Sequence, residues 1–148
     1  MNIQNDDLPS IVDESLIKNN LSSLLNNGDV IIADAAEDET VGKCCEIIGV
    51  NNEKALAGLH TIPIRPKEKY SSGYLGYYMN SNAYHNQLLP LMQGTKVSSI
   101  SRSTIKDTFI RYPKFLDEQK YIGSYFQNLD NLITLHQRAH FSDYLKLI

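Results

Sequence analysis

Apolar residues recur at helical spacing through the last third of the chain, from Glu118 to about His140. Ile122, Leu129 and His136 share one heptad position, Tyr125, Leu132 and Ala139 share the matching second, and Phe126, Ile133 and His140 flank them. Asp117 reads as the N-cap. Glu118 in the first turn and Arg138 toward the far end suit the helix dipole. Pro113 lies upstream, where it cannot interrupt the helix. Gly123 runs against the pattern, because an interior glycine costs about 1 kcal/mol relative to Ala. At about 1.5 Å per residue the segment reaches roughly 35 Å, about the diameter of a small domain. Such a stripe either folds back on its own domain or packs against a partner. Its length favours a partner, with Ile122, Tyr125, Leu129, Leu132 and His136 as the interface.

The rest of the chain mixes short strand and helix signals. Residues 1–28 are polar and Asn-rich, enough for one or two short helices or turns. Asn27-Gly28 marks a tight turn into the β-branched run Val30-Ile31-Ile32, a buried strand. An acidic loop, DAAEDETVGK, follows. CCEIIGV reads as a second strand ending at Gly49. LAGLHTIPIRP reads as a third, whose Pro63 and Pro66 place its end at a sheet edge. From Ser71 the pattern turns helical, and the interruptions at Asn80–Asn82 and Pro90 divide it into two short helices. QGTKVSSIS is then a loop, RSTIKD a turn of helix capped by Ser101 or Ser103, and TFIRYP a last short strand. The expected fold is α+β: a mixed-sheet domain with short helices over residues 1–115, then a long coiled-coil-type helix over 116–148.

Composition narrows the functional classes. A chain of 148 residues builds one good core. No apolar run approaches the roughly 20 residues of a membrane span, so the expected setting is the cytoplasm. The two cysteines, Cys44 and Cys45, are adjacent, which suits neither a disulfide framework nor zinc ligation. Within an apolar strand they read as buried and structural. No P-loop, dinucleotide fingerprint, GxSxG elbow or HExxH motif occurs. His136 and His140 lack a third metal ligand, and the run Asp34, Glu37, Asp38, Glu39 lacks the offsets of a calcium loop. No metal, cofactor or catalytic residue is expected.

Charge is informative by segment. Residues 1–60 carry three Lys against eleven acids, a net of −8, whereas residues 61–115 carry eight Lys or Arg against two acids, a net of +6. Either the basic segment faces a polyanion or the two halves neutralise each other across the fold. Arg65, Lys67 and Lys69 follow a strand end, and Lys96, Ser98, Ser101 and Arg102 cluster near Gly94. Cations to neutralise phosphates and hydroxyls to position them are the vocabulary of DNA contact. Asn80, Asn82, His85, Asn86 and Gln87 add polar side chains suited to base edges.

Five stretches carry a family resemblance: LLNNGDVIIADA, GLHTIPIRP, GYLGYYMNS, LMQGTKVSSISRSTI and TFIRYPKFLDEQKYIGSYFQNLDNLI. In the last, a strand ends in Pro, and a Leu, a Glu-Gln helix start, an Ile and a Leu-Asp pair follow. Over about Leu24 to His136 the chain resembles the specificity subunits of type I restriction-modification systems. The resemblance implies a target recognition domain that reads one half of a bipartite DNA site, and a helix that pairs with a second helix to set the separation of two such domains. It also implies a non-catalytic role. Methyltransferase and restriction subunits supply the chemistry and bind S-adenosylmethionine and ATP.

A complete family member has two recognition domains and two helices. This chain has one of each, and a strand expected before MNIQNDD is missing, as in a half-subunit that dimerises, a truncated gene or an expressed fragment. A symmetric dimer of half-subunits implies a palindromic site. The competing expectation is a protein-interaction module that docks through its helix without binding DNA.

Overall fold

The computed structural model describes residues 2–3, 15, 24–36, 40–50, 54–94 and 97–145, with backbone alone at 2–3 and 140–145. The short helices or turns expected before residue 24 and the acids Glu37, Asp38 and Glu39 lie outside the described residues, apart from Asn2, Ile3 and Ser15.

Asn27-Gly28 turns the chain into β3 (Val30–Ala33), the centre of the main sheet. Val30 and Ile32 are fully buried and alternate with half-buried neighbours, as a pleated strand with one core face requires. β5 (Cys44–Ile47) and β7 (Thr61–Ile64) flank β3 antiparallel, and β1 (Asn2–Ile3) joins β5 in parallel, giving the order β1-β5-β3-β7. Pro63 stands opposite Ile31 in β7. Because β7 is an edge strand, the N–H that proline lacks is not needed by a further neighbour.

Among the described residues there are also two small antiparallel ladders. β2 (Leu24–Leu25) pairs with β6 (Ala55–Leu56), and β4 (Ala35–Ala36) with β8 (Ser98–Ser99). The single third strand expected over residues 56–66 is therefore two, β6 and β7, because the Gly58–His60 turn breaks it. Part of the Gly- and Ser-rich stretch expected as a loop is strand β8.

From residue 54 onward the described helices are α1 (Tyr74–Asn80), α2 (Asn82–Leu88), a 3-10 turn (Leu89–Leu91), α3 (Arg102–Lys106) and α4 (Leu116–Leu145). Helix α4 starts at Leu116, so Asp117 sits in its first turn rather than at the cap. Tyr74, Leu75 and Met79 of α1 and Tyr84 and Leu88 of α2 close the core over Val30, Ile32 and Cys44. Burial pushes the Cys44 thiol up to about 12, which leaves it protonated and inert.

Buried polar groups hold this small core together. Glu46, 2% exposed, points from β5 into the N-terminus of α1, where its carboxylate accepts the N–H groups of Gly73 (2.8 Å) and Gly76 (3.1 Å). Gly73 precedes the helix at φ 84°, a left-handed conformation that glycine adopts without strain. The cap of this helix is thus supplied by a strand 27 residues earlier.

Side-chain amides replace ladder partners elsewhere. The Asn80 carboxamide accepts from Cys44 N–H at 3.0 Å and donates to Cys44 C=O at 2.7 Å, on the side of β5 that the short β1 does not reach. Gln87 pairs in the same reciprocal way with the backbone of Phe109, both bonds at 3.0 Å. That pairing corrects the expectation of a strand at TFIRYP. The segment lies in no sheet: Gln87 satisfies Phe109, while the Tyr78 and Tyr74 hydroxyls bond the N–H and C=O of Arg111.

Candidate nucleic-acid interface

The predicted cations separate into structural and free groups. Arg65 follows β7, and its fork closes on Asp29, Nε to Oδ1 at 2.9 Å and Nη2 to Oδ2 at 2.6 Å, while Nη2 also donates to Leu24 C=O. The Asp29 side chain is only 5% exposed, so this bidentate pair welds the turn before β3 to the strand edge. Here an acid of the first segment does neutralise a cation of the second. Lys67 and Lys69, on the loop beyond, are exposed, and no described carboxylate lies within ion-pair distance of either.

The second predicted cluster surrounds β8 and α3. Ser98 is half-buried in β8 opposite Ala36. Ser101 caps α3, its hydroxyl accepting from Thr104 N–H at 3.1 Å and sharing hydrogen bonds with the hydroxyls of Ser103 and Thr104. Arg102 is exposed in the first turn of that helix. Lys96 lies outside the described residues. Among the described residues no hydrogen bond or ion pair joins this cluster to Lys67 and Lys69. In the amide cluster, Asn80 and Gln87 are committed to the backbone, while Asn82 and Asn86 remain exposed.

Beside Arg65 and Lys69 opens a cleft of about 330 Å³, bounded by Asn26, Asn27, Ser72 and Tyr70, with Asp29 and Glu46 in its wall. Across the neighbouring loop, Tyr112 donates its hydroxyl to Glu68 and sets its ring against Tyr70 at 5.0 Å, edge to face. The Glu68 carboxylate in turn pushes the Tyr112 hydroxyl up to about 12. These contacts bring Arg111 and Lys114, both exposed, to the loop of Lys67 and Lys69. Sequence reasoning counted those two cations in the segment charge but did not single them out.

Helix α4 docks through one face. Gln119, 1% exposed, accepts from Ser71 N–H at 2.9 Å and donates to Pro113 C=O at 2.8 Å, fixing the helix start. Gly123 then lies so close to α1 that a Cβ there would sit 3.3 Å from both the Gly73 carbonyl carbon and Tyr74 N. One further turn along, Phe126 stacks on Tyr77, whose hydroxyl donates to Asp130 at 2.8 Å. Burial, with that carboxylate second, raises the Tyr77 pKa. Ile122 packs on the core and Leu129 is half-buried, so these two predicted interface residues face the domain.

Tyr125, 61% exposed, Leu132, 62% exposed, and exposed His136 face away. They belong with Tyr121, Asn128, Leu135 and Ala139, all exposed. Tyr121, Tyr125, Asn128, Leu132, Leu135 and Ala139 alternate steps of four and three residues, a heptad line on the opposite side of the helix from Gln119 and Gly123. Every described side chain from Asp130 to Ala139 is exposed.

The domain is α+β, with exposed cations that meet no described carboxylate and an exposed, largely apolar line along α4. The model of the type I restriction modification DNA specificity domain family matches residues 1–140, and the chain belongs to that family. Its role is accordingly DNA sequence recognition within a type I restriction-modification system, which disfavours the alternative of a docking module without DNA contact. No curated protein matches the chain. Among the described residues, no helix is long and apolar enough to cross a membrane.

Proposed function

We propose that residues 1–115 form a target recognition domain that holds DNA through Lys67, Lys69, Lys96 and Arg102, and that residues 116–148 form the element through which it assembles. Methyltransferase and restriction subunits dock on it in the cytoplasm and carry the chemistry, while this chain contributes recognition alone. The second element is another specificity half or a second copy of this chain. Arg65, Ser98 and Ser101 hold the loops that present the cations, through the Asp29 pair, strand β8 and the cap of α3. The observation that carries this reading is the separation of α4 into two faces, one spent on the domain and one left largely apolar and exposed as far as Ala139.

Two measurements test it. Gel shifts of the chain with its methyltransferase subunit should weaken when Lys96→Ala and Arg102→Ala are combined. Each lost phosphate contact lowers the slope of log affinity against log salt by about 0.9. Unchanged binding would remove both residues from the interface. Sedimentation separates the two faces of α4: Tyr125→Asp and Leu132→Asp should abolish association while leaving the thermal midpoint near wild type. Ile122→Asp, by contrast, should lower the midpoint, because its side chain packs on the core. If Tyr125→Asp and Leu132→Asp sediment like the wild type, the outer seam is not the assembly surface.

A further inference from the structure

We propose that Lys67, Lys69, Arg111 and Lys114 form one phosphate-contacting ridge at the joint between the domain and α4, so that the base of the rod itself sits against the DNA backbone. The inference rests on the DNA-recognition reading and adds a location to it.

The four cations come from two segments distant in sequence, Lys67 and Lys69 after β7 and Arg111 and Lys114 before α4. What unites them is the hydrogen bond from Tyr112 to Glu68 and the Tyr70–Tyr112 ring contact, each made by residues between or beside the cations. The second segment is rigid. Arg111 has its N–H held by the Tyr78 hydroxyl at 2.8 Å and its C=O by the Tyr74 hydroxyl at 3.3 Å, and Pro113 C=O is held by Gln119. All four side chains are nevertheless exposed, and no described carboxylate lies within ion-pair distance of any of them.

The acids nearby do not cancel the ridge. Glu68 accepts the Tyr112 hydroxyl, Asp29 is spent on Arg65, and Asp117 and Glu118 lie in the first turn of α4, where the helix dipole favours them. A firmly held backbone presenting unpaired lysines and arginines suits a partner with regularly repeated, sequence-independent negative charge. Duplex DNA has that property, with one charge per about 1.7 Å of axis. An acidic protein surface is the other chemistry such cations accept, and the experiment separates the two.

The full chain with Lys67, Lys69, Arg111 and Lys114 all changed to Ala is titrated by fluorescence anisotropy with two short duplexes of unrelated sequence across about 50–200 mM salt. Wild type should lose affinity steeply with salt. In the variant the slope should fall by roughly 3.6, so that the loss across that range shrinks about a hundredfold, equally for both duplexes. Lys67→Gln with Lys69→Gln, on an exposed loop, keeps the test independent of folding and should lower the slope by about 1.8. A steep wild-type slope that neither variant changes overturns the ridge while leaving DNA recognition to other loops. The same unchanged slope with lost co-purification of the methyltransferase subunit overturns it in favour of a protein partner. A flat wild-type slope defeats both the ridge and the reading beneath it.

Discussion

Glu46→Ala is expected to destabilise the domain by about 3 kcal/mol in chemical denaturation, more than any substitution of an exposed lysine. The carboxylate is 2% exposed and is the acceptor for the Gly73 and Gly76 N–H groups. Alanine leaves both buried donors without it, and each buried unsatisfied donor costs about 1–3 kcal/mol. Glu46→Gln keeps one acceptor oxygen but turns an NH2 toward the same donors, so it should fall between alanine and wild type. pH offers a second check. Burial raises the Glu46 pKa, against the lowering effect of those backbone hydrogen bonds. With the folded value above the unfolded one, the linked stability is fully present below the unfolded pKa and is lost as pH rises through the folded pKa. The stability of wild type relative to Glu46→Gln should therefore decline across mildly acidic pH and level off above the raised value. An alanine variant as stable as wild type would mean that α1 does not depend on this cap.

Glu46 also illustrates which parts of the fold were legible. The run Val30–Ile32, the break at Asn80–Asn82 and the apolar period of α4 are local patterns, and each specified its element directly. The cap on α1 was not legible, because the acceptor comes from β5 and nothing near Gly73 announces it. The same cause explains TFIRYP. Ile110 and Tyr112 alternate with their neighbours as strand residues do, but the backbone partners are the Gln87 carboxamide and two tyrosine hydroxyls. Sequence pattern reports an alternation of side chains; it does not report what satisfies the backbone. Asn80 and Gln87 read as candidates for base edges because a free amide and a committed one look alike in sequence.

The candidate surface divides along the same line. Charge counting found the basic segment, and the matching family model supports the DNA-recognition role that the family resemblance gave the chain. Counting did not separate Arg65, whose guanidinium closes on Asp29, from Lys67 and Lys69, which meet no described carboxylate. Nor did it gather Arg111 and Lys114, since only the Tyr112–Glu68 contact brings them to that loop. On α4 one half of the heptad reading, Tyr125, Leu132 and Ala139, lies on the exposed line, whereas the other half, Ile122, Leu129 and His136, stands one residue beyond the line's Tyr121, Asn128 and Leu135. A stripe wide enough to serve a domain on one side and a partner on the other has no single period.

Gly123→Leu should then have the second large effect, and its sign runs against local propensity. Considered alone, replacing a mid-helix glycine gains up to about 1 kcal/mol of helix stability, as Ala would show. At this position even a Cβ meets two backbone atoms at 3.3 Å, and α1 cannot yield because Gly73 is bound to Glu46. A leucine side chain has nowhere to go unless α4 lifts from α1. Lifting breaks the Tyr77–Asp130 hydrogen bond and the Tyr77–Phe126 stack. The expected cost is about 3 kcal/mol, at the upper end for overpacking, with Gly123→Ala smaller because only a few tenths of an ångström are required. The functional consequence follows from the rod: a recognition domain whose helix leaves at a different angle presents its DNA surface in the wrong place relative to whatever the outer seam holds. DNA affinity of the assembled complex should therefore drop more in Gly123→Leu than in Gly123→Ala, although neither changes a residue of the cationic surface. A leucine variant with unaltered thermal midpoint and DNA affinity would show that α4 is not clamped at this joint.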